Sequence, residues 1–371
     1  MKQSLNVVVL GLSLSSSWGN GHATTYRALL RGMHAEGHRV LFLERDVSWY
    51  AKQRDLPDPS FCELSLYNGV DDLLARSSGR LHAADAVLIG SYVPEGIRII
   101  DAIARQDPKL LCFYDIDTPV TLANLDRGDE DYIAARQMPL FDIYFSFAGG
   151  EVIDRLEQHY GVSHAEPLFC CVDAQAYQNT GEPRSWDLGY IGTYSIDRQP
   201  ALERLLIEPA RLLPDMRFVV AGPNYPAHID WPANVERIEH LAPSDHPSFY
   251  SRQRFTLNIT RADMAAAGWS PSVRLFEAAA CGTPIISDYW NGLGDFFPLR
   301  EAIIVACDPA DVVSALTKVS FEAQGRIAQA ARRIVLHQHT GRARATQLAA
   351  SLCSARQRNR PRRSTGFRTT A

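Results

Sequence analysis

The sequence lacks the features that mark several large classes of protein. Its 371 residues carry 38 basic and 42 acidic side chains, for a net charge of −4. Acidic side chains are in only slight excess, so nucleic acid is not an expected partner, and nothing in the overall charge favours an anionic membrane. Uninterrupted apolar runs stay shorter than the roughly 18 residues that a membrane-spanning helix requires, so no spanning helix is expected.

Cysteine is scarce and irregularly placed. Seven cysteines stand at positions 62, 112, 170, 171, 281, 307 and 353. They form no C-x-x-C pair, and no histidine stands at a zinc-ligand spacing from them. The odd number suits a reducing compartment, so a cytoplasmic location and no metal site are expected. The apolar start LNVVVLGLSL has no A-x-A-like cleavage site, which argues against a secretory signal.

Alternating strands and helices dominate the chain. VVVLGLSL (7–14) is predicted as a buried strand, ATTYRALLRGMHAEG (23–37) as a helix and HRVLFLERD (38–46) as the next strand. Further strands are predicted at 84–92, 109–117, 141–147, 187–194, 216–223, 235–241, 255–260, 283–288 and 302–307. This alternation predicts an α/β protein with two Rossmann-like domains and a cleft between them.

The alternation of strands and helices breaks down over 167–186 and again from 354 onward, which suggests domain limits. We predict an N-terminal domain over 1–166, a hinge over 167–186, a C-terminal domain over 187–353 and a basic unstructured tail over 354–371. The tail contains Arg356, Arg358, Arg360, Arg362, Arg363 and Arg368. Such a segment serves as a solubilising tail or docks on an anionic surface, such as that of a membrane.

The loop after the first strand is glycine-bearing and runs into a helix. Gly19, Asn20 and Gly21 are candidates for an acceptor or phosphate loop, because glycine permits close backbone approach and a helix N-terminus favours anions. His22 is a candidate general base, with ligand contact or a packing role as alternatives. The glycine spacing differs from G-x-G-x-x-G, which disfavours a dinucleotide-dependent dehydrogenase, although Glu44 stands where a ribose-binding acid would be expected.

Asp115 and Asp117 end a buried strand in YDIDTPVT. At a strand end both carboxylates are expected to reach the cleft mouth, where one could orient an acceptor hydroxyl or act as a base. Capping of the following segment is the alternative role.

Two stretches of the second domain are suited to a nucleotide diphosphate. GYIGTYSIDRQ offers Gly192, Thr193 and Arg198 after a strand, and a guanidinium fork matches phosphate oxygens. SPSVRLFEAAACGTPIISD offers the hydroxyls of Ser270 and Ser272, the charge of Arg274 and the carboxylate of Glu277. The serines precede a helix N-terminus that can bind phosphate. Glu277, about one turn further on, is a candidate acceptor for a ribose diol.

RLFEAAACGTPIISD resembles the C-domain signature of GT-B glycosyltransferases, and the chain over about 1–350 is most similar to their CgeB-like group, named for a spore-maturation protein. The resemblance also covers RGMHAEGHRV and the hinge FCCVDAQAY. It implies a nucleotide-sugar donor held mainly by the C-terminal domain, a carbohydrate or other hydroxyl acceptor, such as a cell-envelope component, held mainly by the N-terminal domain, and ribose binding by Glu277.

One departure from the retaining enzymes concerns Trp269. Those enzymes carry a glutamate eight residues before the helix glutamate, where this chain has tryptophan. If His22 or Asp117 is a base, an inverting displacement is expected; otherwise the donor phosphate assists a retaining reaction. No cofactor and no metal are expected to be required. A nucleotide-sugar epimerase and a non-catalytic nucleotide-sugar-binding protein are the alternative functions.

Overall fold

The structure, a computed structural model, describes residues 4–18 and 21–358 and shows two parallel sheets within them, of seven and six strands. The first sheet has the order β3-β2-β1-β4-β5-β6-β7 and the second the order β10-β9-β8-β11-β12-β13. The strands are β1 (Asn6–Gly11), β2 (Arg39–Arg45), β3 (Glu63–Tyr67), β4 (Ala86–Gly90), β5 (Leu111–Asp115), β6 (Ile143–Ser146), β7 (Ala165–Pro167), β8 (Trp186–Ile191), β9 (Phe218–Ala221), β10 (Val235–Ile238), β11 (Gln253–Asn258), β12 (Ile285–Ser287) and β13 (Ile304–Val305). The predicted fold class, two Rossmann-like α/β domains, is confirmed.

Helices cover the faces of both sheets. They are α1 (Gly21–Ala35), α2 (Ser48–Ala51), α3 (Val70–Ala83), α4 (Gly96–Ala104), α5 (Thr118–Asp126), α6 (Glu151–Gln158), α7 (Gln199–Leu202), α8 (Glu208–Leu212), α9 (His246–Ser251), α10 (Ala262–Ala267), α11 (Val273–Ala280), α12 (Leu293–Phe296), α13 (Pro309–Lys318), α14 (Phe321–Gln338) and α15 (Gly341–Arg358). The central strands are buried on both sides, as their continuous apolar runs predict. No helix within the described ranges is long and apolar enough to cross a membrane.

Both sheets reverse their strand order at equivalent places. The switch lies between β1 and β4 in the first sheet and between β8 and β11 in the second. Loops at the carboxyl ends of such strands form a crevice, which is where ligands bind in open α/β sheets. The candidate site is therefore expected where these four loops face one another.

The chain crosses between the domains twice, and the crossings touch. Val172 in the first connection pairs with Thr340 in the second through a parallel bridge. The Val172 N–H donates to the His339 carbonyl at 3.0 Å, and the Gly341 N–H donates to the Val172 carbonyl at 3.1 Å. The last helix, α15, then packs on α1 of the first domain.

The end of the chain differs from the sequence prediction. Residues 354–358 belong to α15, so the prediction of an unstructured tail is wrong for them. Arg356 forms an ion pair with Asp85 at 3.1 Å, since α15 lies against the first domain. The remaining tail residues, 359–371, lie outside the described part.

Candidate functional site

Glu44 shapes the loop that follows β1. Its carboxylate is fully buried and accepts hydrogen bonds from the backbone N–H groups of Leu14 at 2.7 Å and Ser15 at 2.9 Å. The Ser15 hydroxyl donates to it as well, at 2.6 Å. A buried carboxylate is stable when it accepts several such bonds. The Glu44 carboxylate is thus engaged by the loop that follows β1. It is not available to bind a ribose, as the corresponding acid of a dehydrogenase would.

Asp55 fixes the next part of the same loop. It accepts from the N–H and hydroxyl of Ser17, each at 2.9 Å, and from both terminal nitrogens of Arg27 at 2.8 Å. Burial alone would raise the pKa of Asp55, but these hydrogen bonds outweigh it and lower the pKa to about 2. The loop then reaches the second domain, because the Trp18 ring lies 5.2 Å from the His240 ring. Gly19 and Asn20 lie outside the described residues.

The candidate bases come together at the carboxyl ends of β4 and β5. Asp117 accepts a hydrogen bond from the Tyr92 hydroxyl at 3.1 Å, and the Tyr92 ring lies 5.2 Å from the His22 ring. Burial lowers the pKa of His22, and the nearby Asp117 charge opposes this only in part. His22 is therefore held in its neutral form near pH 7, which is the form that accepts a proton.

Asp115 is placed differently from its neighbour. Its side chain is fully buried and accepts from the Tyr144 hydroxyl at 2.6 Å and the Thr121 hydroxyl at 2.9 Å. Burial raises the pKa of Asp115 to about 6. The prediction that both carboxylates reach the cleft mouth is wrong for Asp115, because its oxygens are directed to these inward donors.

Three arginines converge on the other side of the cleft. Arg198 donates to the Thr193 carbonyl at 2.7 Å, and its pKa is lowered by burial and by the charges of Arg274 and Arg261. Among the described residues no carboxylate lies within ion-pairing distance of Arg198. Arg261 faces Asp117 across the cleft at 3.9 Å. The cluster is cationic and partly removed from water, and both conditions favour an anionic ligand.

Arg274 also anchors the strand ends. Its Nε donates to the Ile191 carbonyl at 2.7 Å, and one terminal nitrogen donates to the Asn258 side-chain oxygen at 2.9 Å. The side chain is 8% exposed. Arg274 therefore joins β8 to β11, and its charge lies below the surface of the cleft. Arg198 and Arg261 are only half-buried, so they can contact a ligand directly.

The serines before α11 do not cap it with their side chains. Ser272 is the N-cap residue, but its hydroxyl donates to Asn258 at 3.2 Å. Ser270 is fully buried, and its hydroxyl has no hydrogen-bond partner among the described residues. The helix ends as the sequence predicts, with Gly282 at a φ of +75° followed by Thr283-Pro284.

Glu277 lies in a polar cluster beneath the cleft. It is 5% exposed and accepts from the Tyr250 hydroxyl at 3.0 Å, with His246 Nδ1 at 4.0 Å. It also lines a cavity of about 230 Å³ between the domains, together with Tyr177 and Thr24. The carboxylate is therefore held in one orientation beside a space large enough for part of a ligand.

A second cavity, of about 240 Å³, adjoins the first and shares Thr24 and Pro243 with it. Its other lining residues come from both domains: Ser17, Gly21, Ile191, Gly192, Thr193, Gly222, Pro223, His240, Leu241 and His246. A Cβ atom on Gly222 would lie 2.1 Å from the Gly192 carbonyl oxygen. Glycine is thus required where these two loops meet.

Sequence reasoning missed Tyr92 and Arg261. Tyr92 is the last residue of the strand predicted at 84–92, and Arg261 directly follows the strand predicted at 255–260, so a search of every strand end would have found them. Tyr92 has a φ of +62°, an uncommon conformation that costs about 1–3 kcal/mol and often occurs at functional sites. Within residues 4–18 and 21–358 no three His, Cys, Asp or Glu side chains are placed to hold a metal ion.

Comparisons with known proteins bear on the second domain and on the fold. Residues 198–350 match a family model described as glycosyl transferase-like. A search of curated proteins gives no match. The part that matches includes Arg198, the Ser270–Glu277 segment and α14.

Solved structures match over nearly the whole chain. Sucrose-phosphate synthase from Thermosynechococcus elongatus superposes with a TM-score of 0.71 at 11% identity, covering 94% of this chain and 98% of that one. HepE of Anabaena in complex with UDP-glucose gives 0.64 at 12% identity, covering 94% and 100%. An alpha-glucosyltransferase in complex with UDP-glucose and DNA containing an abasic site gives 0.69 at 12%, covering 95% and 100%. The chain thus has the GT-B fold of these glycosyltransferases, and residues 198–350 carry the sequence pattern of the glycosyl transferase-like family.

Proposed function

We propose that this protein transfers a sugar from a nucleotide-sugar donor to a hydroxyl group of an acceptor. One observation carries the proposal: Arg198, Arg261 and Arg274 converge where β8 and β11 end, and Arg261 faces Asp117 across the cleft. A diphosphate would supply the missing negative charge, and its leaving oxygen would then lie beside a candidate base. The family match over 198–350 supports the same activity.

The donor has a continuous path through the two adjoining cavities. Arg198 and Arg261 bind the diphosphate in this proposal, while the nucleobase occupies the cavity lined by Gly192 and His240. Glu277 accepts hydrogen bonds from the ribose hydroxyls in the neighbouring cavity. The Tyr250 hydroxyl orients the Glu277 carboxylate for this purpose.

The chemistry exchanges one bond to the sugar C1 for another. The bond from C1 to the donor phosphate oxygen breaks, and a bond from C1 to the acceptor oxygen forms. The acceptor proton passes to Asp117 or to neutral His22, and the charge on the departing diphosphate is stabilised by the arginines. If neither base takes the proton, the leaving phosphate accepts it and the anomeric configuration is retained.

UDP-sugars are the donors to test first. HepE of Anabaena and the alpha-glucosyltransferase share the fold and were solved with UDP or UDP-glucose. Within the family we propose the CgeB-like group, on the basis of RLFEAAACGTPIISD and FCCVDAQAY, and a glycan or other cell-envelope component as acceptor.

The test compares UDP binding in the native protein and two arginine variants. Isothermal titration with UDP should give a measurable Kd, and Arg198→Ala should weaken it roughly 10- to 100-fold, since hydrogen bonds between charged groups are lost. Arg211→Ala is the matched control, because Arg211 pairs with Glu203 and Asp230 on the surface of α8. Failure of every nucleotide and nucleotide sugar to bind would refute the proposal. Binding without release of free nucleotide or a new glycoside would indicate a non-catalytic binding protein.

Metal independence is a further proposal about this site. The three arginines supply the positive charge that a divalent cation provides in other phosphate sites. Of the two carboxylates in D-I-D, Asp115 is engaged by Tyr144 and Thr121. Turnover should therefore persist in EDTA. Loss of activity in EDTA that Mg²⁺ or Mn²⁺ restores would contradict this expectation.

A further inference from the structure

A groove between the domains lies apart from the two nucleotide cavities. Helices α5 and α6 of the first domain and α10 of the second form it, and its volume is about 410 Å³. Its floor is apolar, with Leu122, Val152 and Ala267 among the lining side chains. The groove is therefore large enough for a sugar-sized ligand.

The chain places this groove next to the proposed reaction centre. Asp117 is the N-cap residue of α5, and Pro119, two residues later, lines the groove. Arg261 directly precedes α10, and Asp263, two residues later, lines it too. Two residues span at most about 7 Å, so a molecule in the groove can present a hydroxyl to Asp117.

The charge of the groove is opposite to that of the arginine cluster. Three carboxylates line it, of Asp126, Glu151 and Asp263, against one guanidinium, of Arg155. Asp126 is paired with Arg155, which lowers the pKa of Asp126. Glu151 and Asp263 are exposed and have no ion-pair partner within the described residues. Two unpaired carboxylates thus remain beside an apolar floor.

We propose that this groove is the acceptor subsite and that it takes a carbohydrate bearing a protonated amine. The inference rests on the proposed function. The ammonium group pairs with Glu151 and Asp263, the C–H face of the sugar ring packs on the apolar floor, and a free hydroxyl points to Asp117. An anionic acceptor is disfavoured, because it would face two like charges.

Acceptor charge can be varied without changing the sugar ring. The probes are the β-1,4 trimer of glucosamine and its fully N-acetylated counterpart, titrated into the full chain and followed by NMR. The glucosamine trimer should bind about tenfold more tightly, as each exposed ion pair is worth up to about fivefold in affinity. This preference should shrink as NaCl is added, because salt screens exposed charges.

Two variants locate the effect. Glu151→Gln combined with Asp263→Asn should abolish the preference for the amine. Asp154→Asn should leave it unchanged, because Asp154 is also exposed on α6 but does not line the groove. All three positions are on the surface, so native melting temperatures are expected. Absence of binding by the glucosamine trimer, equal affinities for the two trimers, or a preference that survives in the double variant would each overturn the inference.

The two proposals fail separately. UDP titration reports on the arginine cluster and needs no acceptor, whereas trimer binding needs no donor. A protein that binds UDP but shows no amine preference refutes only the acceptor inference. A protein that prefers the amine but binds no nucleotide refutes the proposed transferase activity.

Discussion

The two aspartates of D-I-D illustrate how position decides the role of a residue. Asp115 is the last residue of β5 and Asp117 comes two residues later, so the sequence places both at the end of one buried strand. Only the structure shows that the Tyr144 hydroxyl, from β6, engages Asp115 and leaves Asp117 to Tyr92 and the cleft. The sequence could predict the strand end, but it could not predict which donor from a neighbouring strand would reach which carboxylate.

Glu277 allows a direct test of ribose recognition. Glu277→Ala should lower kcat/KM by roughly 30- to 1000-fold, since hydrogen bonds to a charged group are each worth about 1.5–3 kcal/mol. Glu277→Gln should be milder, because its amide oxygen still accepts. Tyr250→Phe removes the hydroxyl that orients Glu277 and keeps the carboxylate, so it should lower kcat/KM less than Glu277→Ala does. Normal folding with unchanged UDP affinity and turnover in Glu277→Ala would exclude the ribose role.

Tyr92 is expected to position the candidate base. Tyr92→Phe removes the hydrogen bond to Asp117 and keeps the ring against His22, so kcat should fall about 3- to 10-fold with the UDP Kd unchanged. Tyr132→Phe is the matched control, because its ring lies 4.5 Å from Tyr92 while its hydroxyl bonds to Thr121. An unchanged kcat in Tyr92→Phe would show that this hydrogen bond has no role in turnover.

The pH dependence of kcat tests His22 itself. Burial lowers the pKa of His22 below its ordinary 6.5, so the neutral form persists to lower pH. If His22 is the base, kcat should hold through pH 6.5 and decline only below it, and His22→Ala should remove that acidic limb.

At the scale of elements, the central strands could be predicted and two edge strands could not. β3 and β7 end the first sheet on either side. β3 is only partly buried, and β7 has three residues, so neither carries a strong apolar pattern. The contact of α15 with α1 could not be predicted from the sequence either. Periodicity shows that a helix has an apolar face, but it does not show which domain covers that face.

The crossing of α1 and α15 depends on two glycines. A Cβ on Gly341 would lie 1.9 Å from the Ala28 carbonyl oxygen, and one on Gly32 would lie 2.3 Å from the Gly341 carbonyl oxygen. Gly341→Ala should therefore force the helices apart and destabilise the protein by about 1–3 kcal/mol. Gly325→Ala in α14 is the control, because its Cβ meets nothing within 4 Å, and it should stabilise by up to about 1 kcal/mol. Urea unfolding midpoints measure both, and equal midpoints would contradict the steric argument.

At the scale of the whole molecule, the paired crossings hold the domains together, and His339 lies in the second of them. His339 stacks on Phe276 with 4.4 Å between ring centroids, and its Nδ1 accepts from Arg344 at 2.6 Å. Burial and the Arg344 charge lower the pKa of His339 to about 3. Protonation therefore favours the unfolded chain below the ordinary histidine pKa of 6.5.

The contribution of His339 to the free energy of unfolding should consequently be fully present above pH 6.5. It should decline as the pH falls toward 3. His339 should contribute on the order of several kcal/mol over that range. His339→Gln keeps an acceptor for Arg344 but cannot titrate, so melting temperatures measured between pH 4.5 and 7.5 should vary less than in the native protein. His337→Gln, on the exposed side of α14, should keep the native pH dependence. If the melting temperature of His339→Gln varied with pH as steeply as that of the native protein, His339 would not govern acid unfolding.

The double crossing makes the second domain an insertion within the first. Because α15 returns to α1, the described residues before Val172 and after Thr340 form one continuous body. The bridge between Val172 and Thr340 sets both junctions side by side. A chimera that exchanges donor domains between relatives of this fold therefore needs two cuts, not one. A single cut at the hinge would leave α15 of one parent against α1 of the other, where the two glycines must match.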